Sequence, residues 1–248
     1  MLLTIANREG KILDYVYFEV RGGSKQIAGK QERSYLPLIK IYVARHGETT
    51  WNVEGRIQGR SDPGLSPKGY DQSLGLLEQL KDRPISAIYT STLQRSILTA
   101  QPIAQYLGLQ IQKQPELDEI AFGILEGEKP SEIEGELRVE WERFNGNRLI
   151  YHIPGAENYT DVAIRVKPFV EKVLRNHEGK EILLVGHRVV NLMLMGLLLE
   201  VPLDKTLQIE QTNGCIYLIQ RNGQIKIFHY MDGKVKEGFR YIGQKVVL

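Results

Sequence analysis

A single cysteine, Cys215, is all this chain holds, so no internal disulfide framework can brace it and a cysteine-based zinc site lacks ligands. With no motif around it, Cys215 reads as a small buried hydrophobe rather than a nucleophile. Long apolar runs are missing too. The longest, near Leu192 to Leu199, falls well short of the ~20 residues a membrane helix needs. The stretch Met1 to Glu9 is too weakly apolar to read as a signal peptide. Nor is there an excess of one charge: 32 basic against 30 acidic side chains leave a net +2. That balance gives no general footprint for nucleic acid or a membrane, so any attraction for anions must be local. These absences point to a cytoplasmic protein with neither kind of partner. What is present is ordinary for a globular chain: 248 residues, 42% hydrophobic and 25% charged, enough for one large core or one domain with an appendage.

Two segments differ in rhythm. Leu2 to Ala6 and Ile12 to Val20 are strand-like and joined by the turn-forming Asn7-Arg8-Glu9-Gly10. A polar stretch from Arg21 to Arg33 then leads to Pro37. The expected organisation is therefore a β-hairpin extension with its linker over residues 1–36 and an α/β domain over residues 37–248. Covering a sheet edge, restricting a pocket and forming a homodimer are the roles open to that extension.

From Ile39 strands alternate with helices. Ile39 to Ala44, Ile85 to Ser91 and Glu181 to Val185 are compact apolar strands. Helices are expected from the Ser66-Pro67 cap to about Lys81, from Leu93 to about Leu107, from Tyr159 to about His177, and over Asn191 to Leu199. Pro102 predicts a kink or break in the second of these. The tail returns to β structure, Cys215 to Gln220 and Gln224 to Tyr230, around the hairpin signal Asn222-Gly223. The fold class implied is a three-layer α/β/α sandwich with a mostly parallel central sheet, plus antiparallel strands from both chain ends.

In such sheets ligands bind at the carboxyl ends of the strands. Arg45 and His46 follow the first domain strand, His187 follows the strand ending at Val185, and Arg95 opens the helix after the strand ending at Ser91. Each alone has an ordinary reading: a solvated arginine, a hydrogen-bonded core histidine. Together they gather two imidazoles and two guanidinium groups, a phosphate pocket that needs no metal. A metal held by the two histidines is the competing reading, but adjacent arginines would repel a dication. A carboxylic acid able to protonate a leaving alkoxide is available in Glu119, with Glu116, Asp118 and Glu126 competing for the role.

The chain resembles the histidine phosphatase, or phosphoglycerate mutase-like, superfamily. The resemblance rests on Arg45-His46-Gly47-Glu48-Thr49-Thr50-Trp51-Asn52, then Gln58-Gly59, Asp62 and Leu65-Ser66. Ser91-Thr92-Leu93-Gln94-Arg95 with Thr99-Ala100, Leu117-Asp118-Glu119 with Phe122-Gly123 and Glu126-Gly127, Gly155-Ala156-Glu157, and Gly186-His187 complete it in order. It implies a cofactor-free enzyme in which His46 carries a phosphoryl group and Arg45, Arg95 and His187 stabilise the transition state. Asn52, Gln58 and Gly59 would assist in binding phosphate, and Glu119 would be proton donor and then base. One departure is Arg188, where the family usually has glycine. It is expected either to form a structural ion pair or to contact substrate, while its backbone N–H still serves phosphate. Mutases of the family carry a long basic, proline-rich insertion after the Glu119 region. Here Glu128 to Ile153 is short and acidic in its first half, which favours a phosphatase acting on a small phosphorylated metabolite. A mutase and a non-catalytic phospho-ligand sensor are the alternatives. Arg56, Arg60, Lys129, Arg148 and Tyr151 are expected at the pocket rim.

Overall fold

The computed structural model describes residues 2–6, 12–21, 24–27, 37–231 and 233–242. The chain divides into two compact units, residues 1–36 and 37–248. In the first, β1 (Leu2–Ala6), β2 (Ile12–Arg21) and β3 (Ser24–Ile27) form an antiparallel three-stranded sheet in that order. The third strand corrects the hairpin expectation. Ser24 to Ile27 lies in the stretch read as polar linker, and pairs with Phe18 to Arg21. Backbone pairing made a strand where composition gave no strand signal. The Asn7–Gly10 turn and the rest of the linker lie outside the described residues.

In the second unit one seven-stranded sheet carries the fold, and alternation along its strands sorts side chains onto two faces. In β4 (Ile39–Arg45), Ile41 and Val43 enter one apolar cluster, and Tyr42 and Ala44 enter the other. The first cluster is covered by α5 (Tyr159–Asn176) and α6 (Arg188–Leu199), the second by α2 (Pro67–Leu80) and α3 (Gln94–Leu107). That is the three-layer α/β sandwich. β4 pairs in parallel with β7 (Glu181–Gly186), which pairs in parallel with β5 (Ile85–Thr90), whose other edge takes β6 (Ile111–Lys113). On the other side of β4, β8 (Ile216–Arg221), β9 (Ile225–Met231) and β10 (Lys234–Glu237) add antiparallel. The C-terminal strands therefore join the main sheet, whereas the N-terminal strands pair among themselves.

Local signals explain most boundaries. Ser66 caps α2 by accepting from the Gly69 N–H, with Pro67 in the first turn. α3 is continuous through Pro102, so of the expected kink or break the break does not occur; Ala100, Ile103 and Ala104 pack into the sheet's apolar cluster on both sides of the proline. α6 starts three residues earlier than its apolar run, because His187 serves as its N-cap. Two short helices, α1 (Thr50–Glu54) and α7 (Leu203–Thr206), and a longer α4 (Gly135–Gly146) complete the set. No helix among the described residues is long and apolar enough to cross a membrane.

Candidate active site

The parallel strands deliver their C-terminal residues to one place. β4 and β7 run in register through Arg45 and Gly186, so His46 and His187 leave neighbouring strand ends together. Their ring centroids lie 5.1 Å apart. The loop after His46 is fastened tightly. The Gly47 N–H donates to Thr99 Oγ1, Asn213 Nδ2 donates to the His46 carbonyl, and Asn191 Nδ2 donates to the Ala44 carbonyl. A Cβ on Gly47 would sit 2.5 Å from the Gly69 carbonyl oxygen, so only glycine allows this approach of loop to helix.

Hydrogen-bond direction decides which imidazole nitrogens carry protons. His46 Nδ1 lies 2.7 Å from the Gly47 carbonyl oxygen. A carbonyl only accepts, so Nδ1 is protonated and Nε2 keeps its lone pair. His187 has the opposite tautomer. Arg95 Nε, which can only donate, lies 3.2 Å from His187 Nδ1, while Nε2 lies 2.7 Å from Ser91 Oγ. The chain runs one way onward: Ser91 Oγ is 2.6 Å from Ser96 Oγ, and Ser96 Oγ donates to the Leu93 carbonyl at 3.0 Å. Burial, reinforced by Arg45 and Arg95, pushes His46 well below the usual histidine range; burial, Arg95 and His46 do the same for His187. Both imidazoles are therefore neutral at pH 7.

Replacing Ser91 by alanine is expected to leave the His187 Nε2–H buried without its acceptor, while Arg95 Nε, donating to Nδ1, still holds the tautomer. A loss of ~10–100-fold in kcat/KM is expected for so well-placed a contact. Nitrogen-15 NMR of the His187 ring reads the tautomer directly, and a ring protonated on Nδ1 in the wild-type protein would contradict this wiring.

A cavity of about 200 Å³ opens beside these residues, lined by Arg45, His46, Asn52, Gln58, Gly59, Arg95, Glu119 and Arg188 among others. His187 is fully buried and is not part of the lining. Arg95 is almost inaccessible, at 1% exposure, and is clamped by the Gly59 carbonyl at 2.7 Å and by Asp62 Oδ1 at 3.3 Å. Burial pulls the Arg45 guanidinium down to about 10, with Glu119 opposing, so it is charged at neutral pH. Arg45 Nε is buried without a partner. A buried donor left unsatisfied costs ~1–3 kcal/mol, and an anion in the cavity is the group able to relieve it.

Among the described residues Glu119 is the one carboxylate lining the cavity. Its oxygens accept from the backbone N–H groups of Ile120, Val189 and Val190. Val189 and Val190 belong to the first turn of α6, whose partial positive charge suits a carboxylate. Two of the three competitors are committed elsewhere. Asp118 accepts from the Thr92 N–H and hydroxyl; Glu126 accepts from the N–H groups of Arg60, Ser61 and Phe122. Glu116 Oε2 is buried with no hydrogen-bond partner and does not line the cavity. Among the described residues no group of three or more His, Cys, Asp or Glu side chains could hold a metal. Burial pushes the Cys215 thiol up to about 11.

Residues 41–231 match the family model described as histidine phosphatase superfamily (branch 1). The chain belongs to that superfamily. Phosphoserine phosphatase 1 of Hydrogenobacter thermophilus is 32% identical over 168 residues, covering 68% of this chain and 80% of the relative. A probable phosphoglycerate mutase of Escherichia fergusonii is 34% identical over 167 residues, covering 66% and 77%. Among solved structures, YhfR of Bacillus stearothermophilus superposes with a TM-score of 0.70 at 30% identity, covering 80% of this chain and 98% of that one. As a member of this family the protein is an enzyme of the phosphoric monoester hydrolase type, acting on a small phosphorylated substrate.

The rim of this histidine phosphatase differs from the sequence expectation. Arg56 and Arg148 line the cavity, but Arg60, Lys129 and Tyr151 do not. Arg60 is drawn to Glu157 at 3.2 Å, Lys129 to Glu132 at 2.9 Å, and the Tyr151 hydroxyl to Glu140 at 2.9 Å. In their place stand Phe122, Trp141, Phe144, Asn145 and Tyr159, which sequence reasoning missed. Trp141, Phe144 and Asn145 come from α4, whose apolar stripe is thin among ion-paired charges such as Arg138–Glu142 and offers little periodic signal. Asp62 was seen only as a motif letter. It accepts from the Gln94 N–H and so caps α3, whose own N-cap residue, Leu93, has no side chain to do so.

Proposed function

We propose that this histidine phosphatase is a metal-independent phosphomonoesterase working through a phosphohistidine on His46. The observation that carries the reading is the His46 tautomer. The Gly47 carbonyl holds the Nδ1 proton, leaving the Nε2 lone pair at a cavity flanked by Arg45 and Arg95. His46 Nε2 forms a bond to phosphorus as the bond from phosphorus to the leaving oxygen breaks. Glu119 gives that oxygen its proton. Water then attacks the phosphohistidine, Glu119 takes the water proton, and the N–P bond breaks to release phosphate. Arg45 and Arg95 bind the equatorial oxygens; their charge-assisted hydrogen bonds contribute ~1.5–3 kcal/mol each. His187, through its contact with Arg95, positions that guanidinium.

Hydrolysis is favoured over mutase chemistry by the segment that borders the cavity. Glu132, Glu134 and Glu136, ahead of and at the start of α4, are exposed carboxylates. A mutase must retain a free phosphorylated intermediate away from water, and acidic groups near the rim oppose that retention. The test compares phosphate release from 3-phosphoglycerate with its conversion to 2-phosphoglycerate, with and without a chelator. Hydrolysis that exceeds interconversion and survives the chelator is expected. Interconversion faster than hydrolysis would reverse the assignment.

A further inference from the structure

Two of the five arginines lining this cavity, Arg56 and Arg95, are paired with a carboxylate, as are the nearby Arg60 and Lys129. Arg56 Nε lies 2.6 Å from Glu54, Arg60 3.2 Å from Glu157, Lys129 2.9 Å from Glu132, and Arg95 3.3 Å from Asp62. Three arginines lining the cavity differ: Arg45, Arg148 and Arg188 have no carboxylate partner among the described residues. Arg45 adjoins His46 and belongs to the phosphoryl cradle. The other two have no such duty.

Arg148 is fixed in place without being neutralised. Its Nε and Nη2 both donate to Asn145 Oδ1, at 3.1 and 2.5 Å, and Asn145 Nδ2 in turn donates to the Trp141 carbonyl at 2.9 Å. An amide oxygen orients a guanidinium but leaves its whole charge for a ligand. Arg188 enters the cavity from the first turn of α6 and makes no hydrogen bond within the described residues. Arg148 and Arg188 line the same cavity, together with the buried Tyr159. Phe122, Trp141 and Phe144 supply an apolar surround that strengthens electrostatic contacts by excluding water.

We infer that Arg148 and Arg188 form a second anion subsite that receives a carboxylate on the leaving group, making the preferred substrate a small carboxylated phosphomonoester. The inference rests on the phosphomonoesterase reading above and extends it to substrate class. An ammonium-bearing leaving group would face two uncompensated positive charges, so it is disfavoured.

The experiment uses a matched pair, 3-phosphoglycerate and glycerol 3-phosphate, which differ in a carboxylate against a hydroxymethyl group, with p-nitrophenyl phosphate as a third substrate. The wild-type enzyme is expected to prefer 3-phosphoglycerate by ~10–100-fold in kcat/KM, the size of one or two charge-assisted contacts. Arg188→Ala and Arg148→Ala are expected to shrink that preference, and Arg188→Lys to restore part of it. Equal kcat/KM for the pair, alongside turnover of p-nitrophenyl phosphate, would overturn the subsite and leave the phosphomonoesterase reading intact. Absence of turnover with all three would overturn the phosphomonoesterase reading itself. Calorimetric binding of the pair to His46→Ala then decides the subsite alone: tighter binding of 3-phosphoglycerate supports it, and equal binding removes it.

Discussion

Replacing His46 by alanine is expected to lower kcat for any phosphomonoester by ~10⁴-fold or more, the scale on which loss of a covalent nucleophile is felt. The physical reason lies in how little else could take its place. His187, the other imidazole at the strand ends, is fully buried and has both ring nitrogens engaged, one by Arg95 and one by Ser91. The Cys215 thiol is buried and pushed up to about 11, so it offers no thiolate at neutral pH. The fold should survive the change, because the loop holding His46 is tied by backbone groups: the Gly47 N–H to Thr99 and the His46 carbonyl to Asn213. Circular dichroism with kinetics on the purified variant checks both points. A fall in kcat of under tenfold with the fold intact would show that some other group attacks phosphorus.

The second large effect is expected at Glu119. Changing it to glutamine keeps an oxygen for the backbone N–H groups of α6 but removes the transferable proton. A loss of ~10²–10⁴-fold in kcat is expected for an alkyl phosphate, whose alkoxide leaves poorly without protonation. An aryl phosphate has a better leaving group and should lose much less in the phosphorylation step. The ratio between the two losses is the diagnostic quantity, since a purely structural role would lower both equally. Glutamine also places an NH₂ group beside N–H donors, so destabilisation of ~1–3 kcal/mol is expected and is read separately by denaturant unfolding. Identical losses on alkyl and aryl phosphates would remove Glu119 from proton transfer.

The sequence disclosed the strands and the strand-end residues because those carry strong local signals. β4, β5 and β7 are short apolar runs, and Arg45, His46, Arg95 and His187 stand just beyond such runs. Alternation also anticipated helices on both faces, as the division of Ile41 and Val43 from Tyr42 and Ala44 bears out. What stayed hidden depends on contacts distant in sequence. Glu119 could not be separated from Asp118 or Glu126 by spacing; their partners at Thr92 and Ser61 make the distinction. The His187 tautomer depends on Arg95, 92 positions away in the chain. The aromatic wall was missed because α4 buries Phe144 and carries exposed ion pairs along much of its length, a pattern with weak periodicity. Arg188 was recognisable as unusual, but only the absence of a carboxylate beside it among the described residues separates a ligand contact from a structural ion pair.

The most direct test of the phosphohistidine mechanism is a rapid-quench trap: mix the enzyme with a ³²P-labelled phosphomonoester, quench in alkali, and map the labelled peptide. Label that is alkali-stable, acid-labile and confined to residue 46 is expected, and it should be absent from His46→Ala. Label at another residue, or turnover with no labelled protein at any quench time alongside direct transfer of phosphate to water with inversion at phosphorus, would contradict the account.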